Sequence, residues 1–185
     1  MSTASATLLV VAVLTSAALV KQAGRLLRSI WRFRGTRLVV CPQTNAPAAV
    51  RVDAWSAAWA EMMRDQSIAL ADCSRWPARR FCRQTCLGHV KTDPDGSRVS
   101  AFVARWYGDK RCVYCGRSIP DAGLGWHHAA LVDDDGATIE WSSVPPEELP
   151  DLLPTHAPAC WDCHVAETFR RTHQQLTDRP SSRPS

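Results

Sequence analysis

Two short stretches decide the reading of this chain: Cys112-Val113-Tyr114-Cys115-Gly116 and, after 44 intervening residues, Cys160-Trp161-Asp162-Cys163-His164. Two Cys-x2-Cys pairs offer four thiolates, which can meet tetrahedrally about 2.3 Å from a single Zn2+. Gly116 lets the chain fold back behind the first pair, so that backbone N–H groups point at the sulfurs. The second pair opens a predicted helix, where unpaired N–H groups and the positive dipole end favour thiolate over thiol.

The other four of the eight cysteines are spaced more loosely. Cys41 and Cys73 each end a predicted strand, and Cys82-x3-Cys86 falls on one face of a helix predicted over 79–91, because residues i and i+4 are neighbours there. Together they make a second four-thiolate site, so the expectation is two structural Zn2+ per chain. Arg75, Arg79, Arg80 and Arg83 surround that set and compensate its negative charge. Buried inert thiols are the alternative, or disulfides if the body lies outside a reducing compartment.

A knuckle first and a helix N-terminus second resembles a treble-clef zinc finger, over Arg111 to about His173. The resemblance implies a closed, structural and non-catalytic metal. Two other likenesses compete with it. Cys160-x2-Cys163-His164 also has the pattern that attaches haem c, and its segment resembles the late haem helix of cytochromes of the c-prime kind. That would make Cys160 and Cys163 thioethers and His164 an axial ligand, for electron transfer. It leaves six cysteines without a role, and no Met follows Met63. The order knuckle, His127-His128, closing Cys-x2-Cys-His also resembles the HNH endonuclease family, which implies His127 or His128 as the base for water and His164 as a ligand of a catalytic metal. That family needs an Asn about five residues before the second pair; Thr155 stands there, beside His156, and Asn45 is the only Asn in the chain.

Upstream, Ala4–Val20 (ASATLLVVAVLTSAALV) carries no charge. At ~1.5 Å per residue it spans about 25 Å as a helix, near the lower limit for crossing a bilayer. All the basic residues of 1–37 follow the apolar run and none precedes it, unlike the n-region of a cleaved signal peptide. By the positive-inside rule this places the N-terminus outside and the body in the cytoplasm, anchored once in the inner membrane, with the opposite orientation as the alternative. Trp31 and the arginines fall at headgroup level. Six of the 22 Lys and Arg lie in 1–37 with no acid, leaving 16 against all 18 Asp and Glu, a net of −2 for the body. A domain that neutralises phosphates should itself be basic, so no nucleic-acid partner is expected.

The rest reads as α+β: an N-terminal transmembrane helix, then a small zinc-stapled body of short strands, hairpins and helices, ending in a treble-clef-like module. Arg37–Cys41, Ala48–Asp53 and Ile68–Cys73 read as strands. Asp53 caps a helix to about Arg64 whose Trp55, Trp59, Met62 and Met63 form an apolar, core-facing stripe. Ser97–Tyr107 is a helix, Ala137–Trp141 a strand, Pro145–Leu153 a short helix and Cys160 to about Gln175 the last one. The expected units are the anchor and basic neck over 1–37, an N-terminal four-cysteine module over 38–109, a C-terminal four-cysteine module over 110–176 and a disordered tail over 177–185. The functional expectation is a membrane-held zinc scaffold that binds a protein partner, more plausibly than an enzyme.

Overall fold

A single helix, α1 (Thr3–Phe33), opens the chain. In the computed structural model, residues 3–63, 65, 68–76, 78, 82–119 and 128–177 are described. Among the described side chains of the apolar half of α1 none is buried: Leu8, Val13, Leu14, Leu19 and Val20 are all exposed. The stretch Val10–Phe33 is long and apolar enough to cross a membrane, and its most apolar window has no buried residue. The basic half behaves differently from a free neck. Ser29 and Phe33 are buried, and Arg37, just past the helix, is 0% exposed.

Arg37 and Arg98 tie this end down. The last carbonyls of a helix have no intrahelical donor. Here Arg98 Nη2 donates to Trp31 O at 3.1 Å and Arg32 O at 2.9 Å, and Arg37 Nη2 also donates to Arg32 O. Arg37 Nη1 reaches Ser97 Oγ at 3.0 Å. Gly35, at φ +99, makes the reversal that a side chain would disfavour. These bonds tie the C-terminal end of α1 directly to the body.

β1 (Thr36–Cys41) and β2 (Ala46–Val52) form a hairpin, with Cys41 opposite Ala46 and left-handed Asn45 in the turn. β3 (Leu70–Cys73) adds antiparallel to β2, with Cys73 opposite Val50, giving the order β1-β2-β3. α2 (Ala54–Met62) begins as expected at Asp53, whose carboxylate accepts from the N–H groups of Trp55 and Ser56, both at 3.1 Å. Its apolar stripe is a correction. Trp55 and Trp59 are exposed by 66% and 53%, Met62 and Met63 are exposed too, and the buried face is Ala57, Ala58 and Ala60. α2 lies against α1, and small side chains let the two backbones approach, while Ser29 Oγ hydrogen-bonds the Glu61 carboxylate across them.

The helix expected over 79–91 is likewise corrected. Helix α3 covers only Leu87–Thr92, and the described residues before it, 82–86, are loop and turn with Gln84 at φ +55. A left-handed residue cannot continue an α-helix.

α4 (Val99–Tyr107) turns Val99, Val103 and Tyr107 into the C-terminal core, so that core reaches back past residue 110. Its centre is β4 (Ala130–Val132), flanked by β5 (Thr138–Glu140) and β6 (Ala157–Ala159) in the order β5-β4-β6. All three residues of β4 are buried, so it has no alternating signature; Tyr107 donates its hydroxyl to Ala130 O at 2.8 Å. The short α5 (Leu149–Leu152) and the turn after it supply Leu149 and Leu153 to the core. α6 (Trp161–Thr177) closes the described chain. Most of the expected tail lies outside the described residues.

Candidate metal centre

The first pair sits on the turn after α4, the second at the start of α6. Gly116 N–H bonds Cys112 O at 2.8 Å, with Gly116 at φ +70, so a glycine is what permits this tight reversal. Val113 N–H bonds Pro158 O at 3.0 Å, which docks the turn on β6, two residues before Cys160. Cys160 immediately precedes α6, and Cys163 lies in its first turn.

As a result the sulfurs of Cys112, Cys115, Cys160 and Cys163 all lie within 4.8 Å of one another. Sulfurs at the corners of a tetrahedron with ~2.3 Å metal bonds stand about 3.8 Å apart. The Cys115 and Cys160 sulfurs are separated by 3.8 Å. The donor set therefore fits a tetrahedral thiophilic ion such as zinc, and all four corners are protein.

Surroundings set the charge on each sulfur. Burial pushes the Cys112 thiol up, but the N–H groups of Cys160, Cys115 and Tyr114 outweigh it and bring the group below its usual value. Cys115 is held down to about 6, first by the N–H of Arg117 and then by its guanidinium. Cys160 and Cys163 are both pushed up, primarily by burial, with neighbouring sulfurs adding to it at Cys163. Removing four acidic protons together is costly without a cation, which is how such a set selects a metal. Arg117, which also pairs with Asp162 at 3.5 Å, was missed from the sequence. A cation two residues beyond a predicted thiolate is the signal that could have found it.

Of the two expected sites, the structure assembles this one. Among the described residues it is the one group of His, Cys, Asp or Glu whose ligand atoms converge within metal-binding distance. Cys41 and Cys86 are buried in the N-terminal core with Cys73 packed against it, and Gln84 N–H bonds the Cys82 sulfur at 3.3 Å. Burial, then the Cys82, Cys73 and Cys41 sulfurs, pushes the Cys86 thiol up, so the four share a neighbourhood without closing on a point. The helical-face argument for Cys82 and Cys86 fails because that segment is not a helix. Arg75 donates to Pro47 O at 2.8 Å; Arg79 and Arg80 lie outside the described residues.

The histidines are placed apart. His164 shares a hydrogen bond with Thr138 Oγ1 at 2.8 Å through Nδ1, and its Nε2 faces Glu140 at 3.7 Å, so both ring nitrogens are directed at β5. His128 packs edge-on to Trp141, ring centroids 4.9 Å apart. His127 lies outside the described residues. His156, beside the position where the HNH likeness requires Asn, hydrogen-bonds Thr155 and the Leu152 carbonyl and so finishes a helical turn.

Comparison of the chain with protein-family models, with curated proteins and with solved structures finds no match. The likeness to a treble clef rests on the knuckle and helix start alone, and a four-cysteine cluster does not by itself define that fold.

Proposed function

We propose that this chain is a membrane-anchored zinc protein whose Cys112–Cys115–Cys160–Cys163 site is structural, and that its body is an interaction module on the cytoplasmic face. The observation that carries the reading is the convergence of four sulfurs within 4.8 Å of one another, one pair of them at the 3.8 Å that a zinc tetrahedron requires. Four protein ligands leave no open position for water or substrate, which is the arrangement of structural rather than catalytic zinc. The reading of α1 as a single-pass anchor is supported by its exposed apolar face and by the basic residues on one side of it only. The bonds that tie its C-terminal end to the body suit a module held close to the membrane. Exposed Val113, Tyr114, Ile139, Val165 and Phe169 on the zinc half are the surface on which a protein partner is sought.

Elemental analysis and an absorption spectrum of the purified full chain test this. The expected result is a colourless protein containing zinc, with one zinc per chain lost in Cys112→Ala. Any zinc beyond that one is expected at the N-terminal thiols, and Cys86→Ala distinguishes the two. A haem absorption band, or a Cys112–Cys160 disulfide in protein purified under anaerobic conditions, sinks the proposal.

A further inference from the structure

The cleft between α1 and α2, about 550 Å3, lies where a bilayer surface would be if α1 spans it. Its first lining residue, Gln22, is two residues past the end of the uncharged run. Its last on α1, Arg32, is ten residues further, about 15 Å along the helix axis. Arg25, Arg28 and Arg32 line it at i, i+3 and i+7, hence on one face. None of the three forms an ion pair among the described residues. Glu61 is the one acid in the lining, and its carboxylate is occupied by the Ser29 hydroxyl. The cleft therefore presents a net charge of about +2.

The α2 side adds a second feature. Met62 lines this cleft with Gln22 and Leu26, whereas Ala57 lines the neighbouring one with Phe33. The C-terminal end of α2 thus points towards the apolar half of α1. There Trp59 and Met63 stand exposed, with Trp55 one turn back and Trp31 on α1 itself. Large apolar side chains beside unpaired arginines are unfavourable in water and suited to the headgroup zone, where Trp and Arg concentrate.

We propose that this cleft binds the phosphate headgroup of an acidic phospholipid from the bilayer that α1 enters, with Trp59 and Met63, at the C-terminal end of α2, reaching into its headgroup zone. The inference rests on the membrane reading above and adds a lipid class and a site to it. Arg25, Arg28 and Arg32 supply bidentate donors to a phosphodiester, and the net positive charge selects against zwitterionic lipid.

The test uses full-length protein in micelles doped equally with phosphatidylglycerol and phosphatidylcholine, counting retained lipid per chain by native mass spectrometry. Wild type is expected to favour phosphatidylglycerol by about ten-fold or more, and the triple variant R25Q/R28Q/R32Q by less than about two-fold. R34Q is the control, because that guanidinium stacks over Trp31, 5.5 Å from the ring centre, and does not line the cleft; it is expected to keep the wild-type preference. Zinc content equal to wild type marks each variant as folded. Equal retention of both lipids by wild type, an unchanged preference in the triple variant, or an equal loss in R34Q overturns the site. Membranes are washed with alkaline carbonate beforehand: release of wild type there refutes the anchor itself, whereas a carbonate-resistant chain without lipid preference refutes this proposal alone.

Discussion

Replacing Cys112 by alanine removes one corner of the sulfur tetrahedron, and the structure sets the size of the effect. An ion held by the four sulfurs would join the knuckle to the start of α6 across 44 intervening residues. A cross-link closing a loop of that length restricts the unfolded chain by about 4 kcal/mol at 25 °C. The Cys112 sulfur also accepts from the N–H groups of Tyr114, Cys115 and Cys160, and Cys112 is only 2% exposed. Tyr114 and Cys115 are exposed and Cys160 is half-buried, so losing this acceptor adds about 1 kcal/mol. The sum reaches ~5 kcal/mol, against a total stability of about 5–15 kcal/mol for a domain. The expected outcome is loss of zinc together with a fall in melting temperature of roughly 20 °C or more, followed by near-ultraviolet circular dichroism. Val113→Ala, one residue away but 53% exposed, is expected to stay within about 0.5 kcal/mol of wild type. A Cys112→Ala protein that keeps its zinc, or melts within about 5 °C of wild type, refutes the argument that this ion staples the module.

Two further substitutions probe the frame around the site. Arg37→Ala deletes the buried guanidinium that binds Arg32 O and Ser97 Oγ, at a cost of about 1–3 kcal/mol; α1 should then be held to the body less firmly, seen as faster limited proteolysis near Arg34–Thr36, and an unchanged cleavage rate refutes this role for Arg37. Glu167 accepts from Arg170 and then Arg171, which hold its carboxyl at about 2, well below the usual range. Its folded value is depressed, so the stabilisation is complete above the unfolded value near 4.5 and fades as pH falls towards 2. Because Arg170 is more than half exposed, Glu167→Gln should cost only about 0.5–1 kcal/mol. That difference should be constant from about pH 5.5 to 8 and begin to narrow below about 4.5; a difference that varies between about pH 6 and 8 contradicts this assignment.

What could be read from the residues is what local chemistry alone decides. The uncharged run Ala4–Val20 is helical because nothing in it prefers another state, and Asp53 caps α2 because its carboxylate can reach two N–H groups. Gly116 after Cys115 gives the knuckle, since only a residue tolerant of positive φ turns there at low cost. What could not be read depends on partners distant in sequence. The Trp55–Met63 stripe has helical period, yet α1 packs on the alanines instead, because close helix approach needs small side chains. β4 was missed because a three-residue strand buried on every side has no period to detect. Arg37, a charged residue in a basic run, looked like part of a solvated neck; a carbonyl at a helix end and a serine sixty positions away hold it fully buried.

The contrast between the two cysteine quartets has a single geometric origin. In the C-terminal set both pairs are local, Cys-x2-Cys on a turn and at a helix start, so local backbone geometry alone brings each pair of sulfurs together. One packing event, the docking of the knuckle on β6 through Val113 and Pro158, then completes the tetrahedron. The N-terminal set has no such local pair. Cys41 and Cys73 flank β2 from opposite sides, opposite Ala46 and Val50, an offset of four residues or about 13 Å along the strand. Cys82 and Cys86 would be a ready-made pair on a helix, but left-handed Gln84 interrupts the segment, and its side chain is committed to accepting from Leu70 N–H at 3.1 Å. Four sulfurs spread over two outer strands and a loop share a neighbourhood; burial and then the other three sulfurs raise the Cys86 thiol, but the four do not form a coordination sphere. Counting cysteines by fours therefore overstates the metal sites; counting Cys-x2-Cys pairs that sit on a turn or a helix start identifies the one that closes.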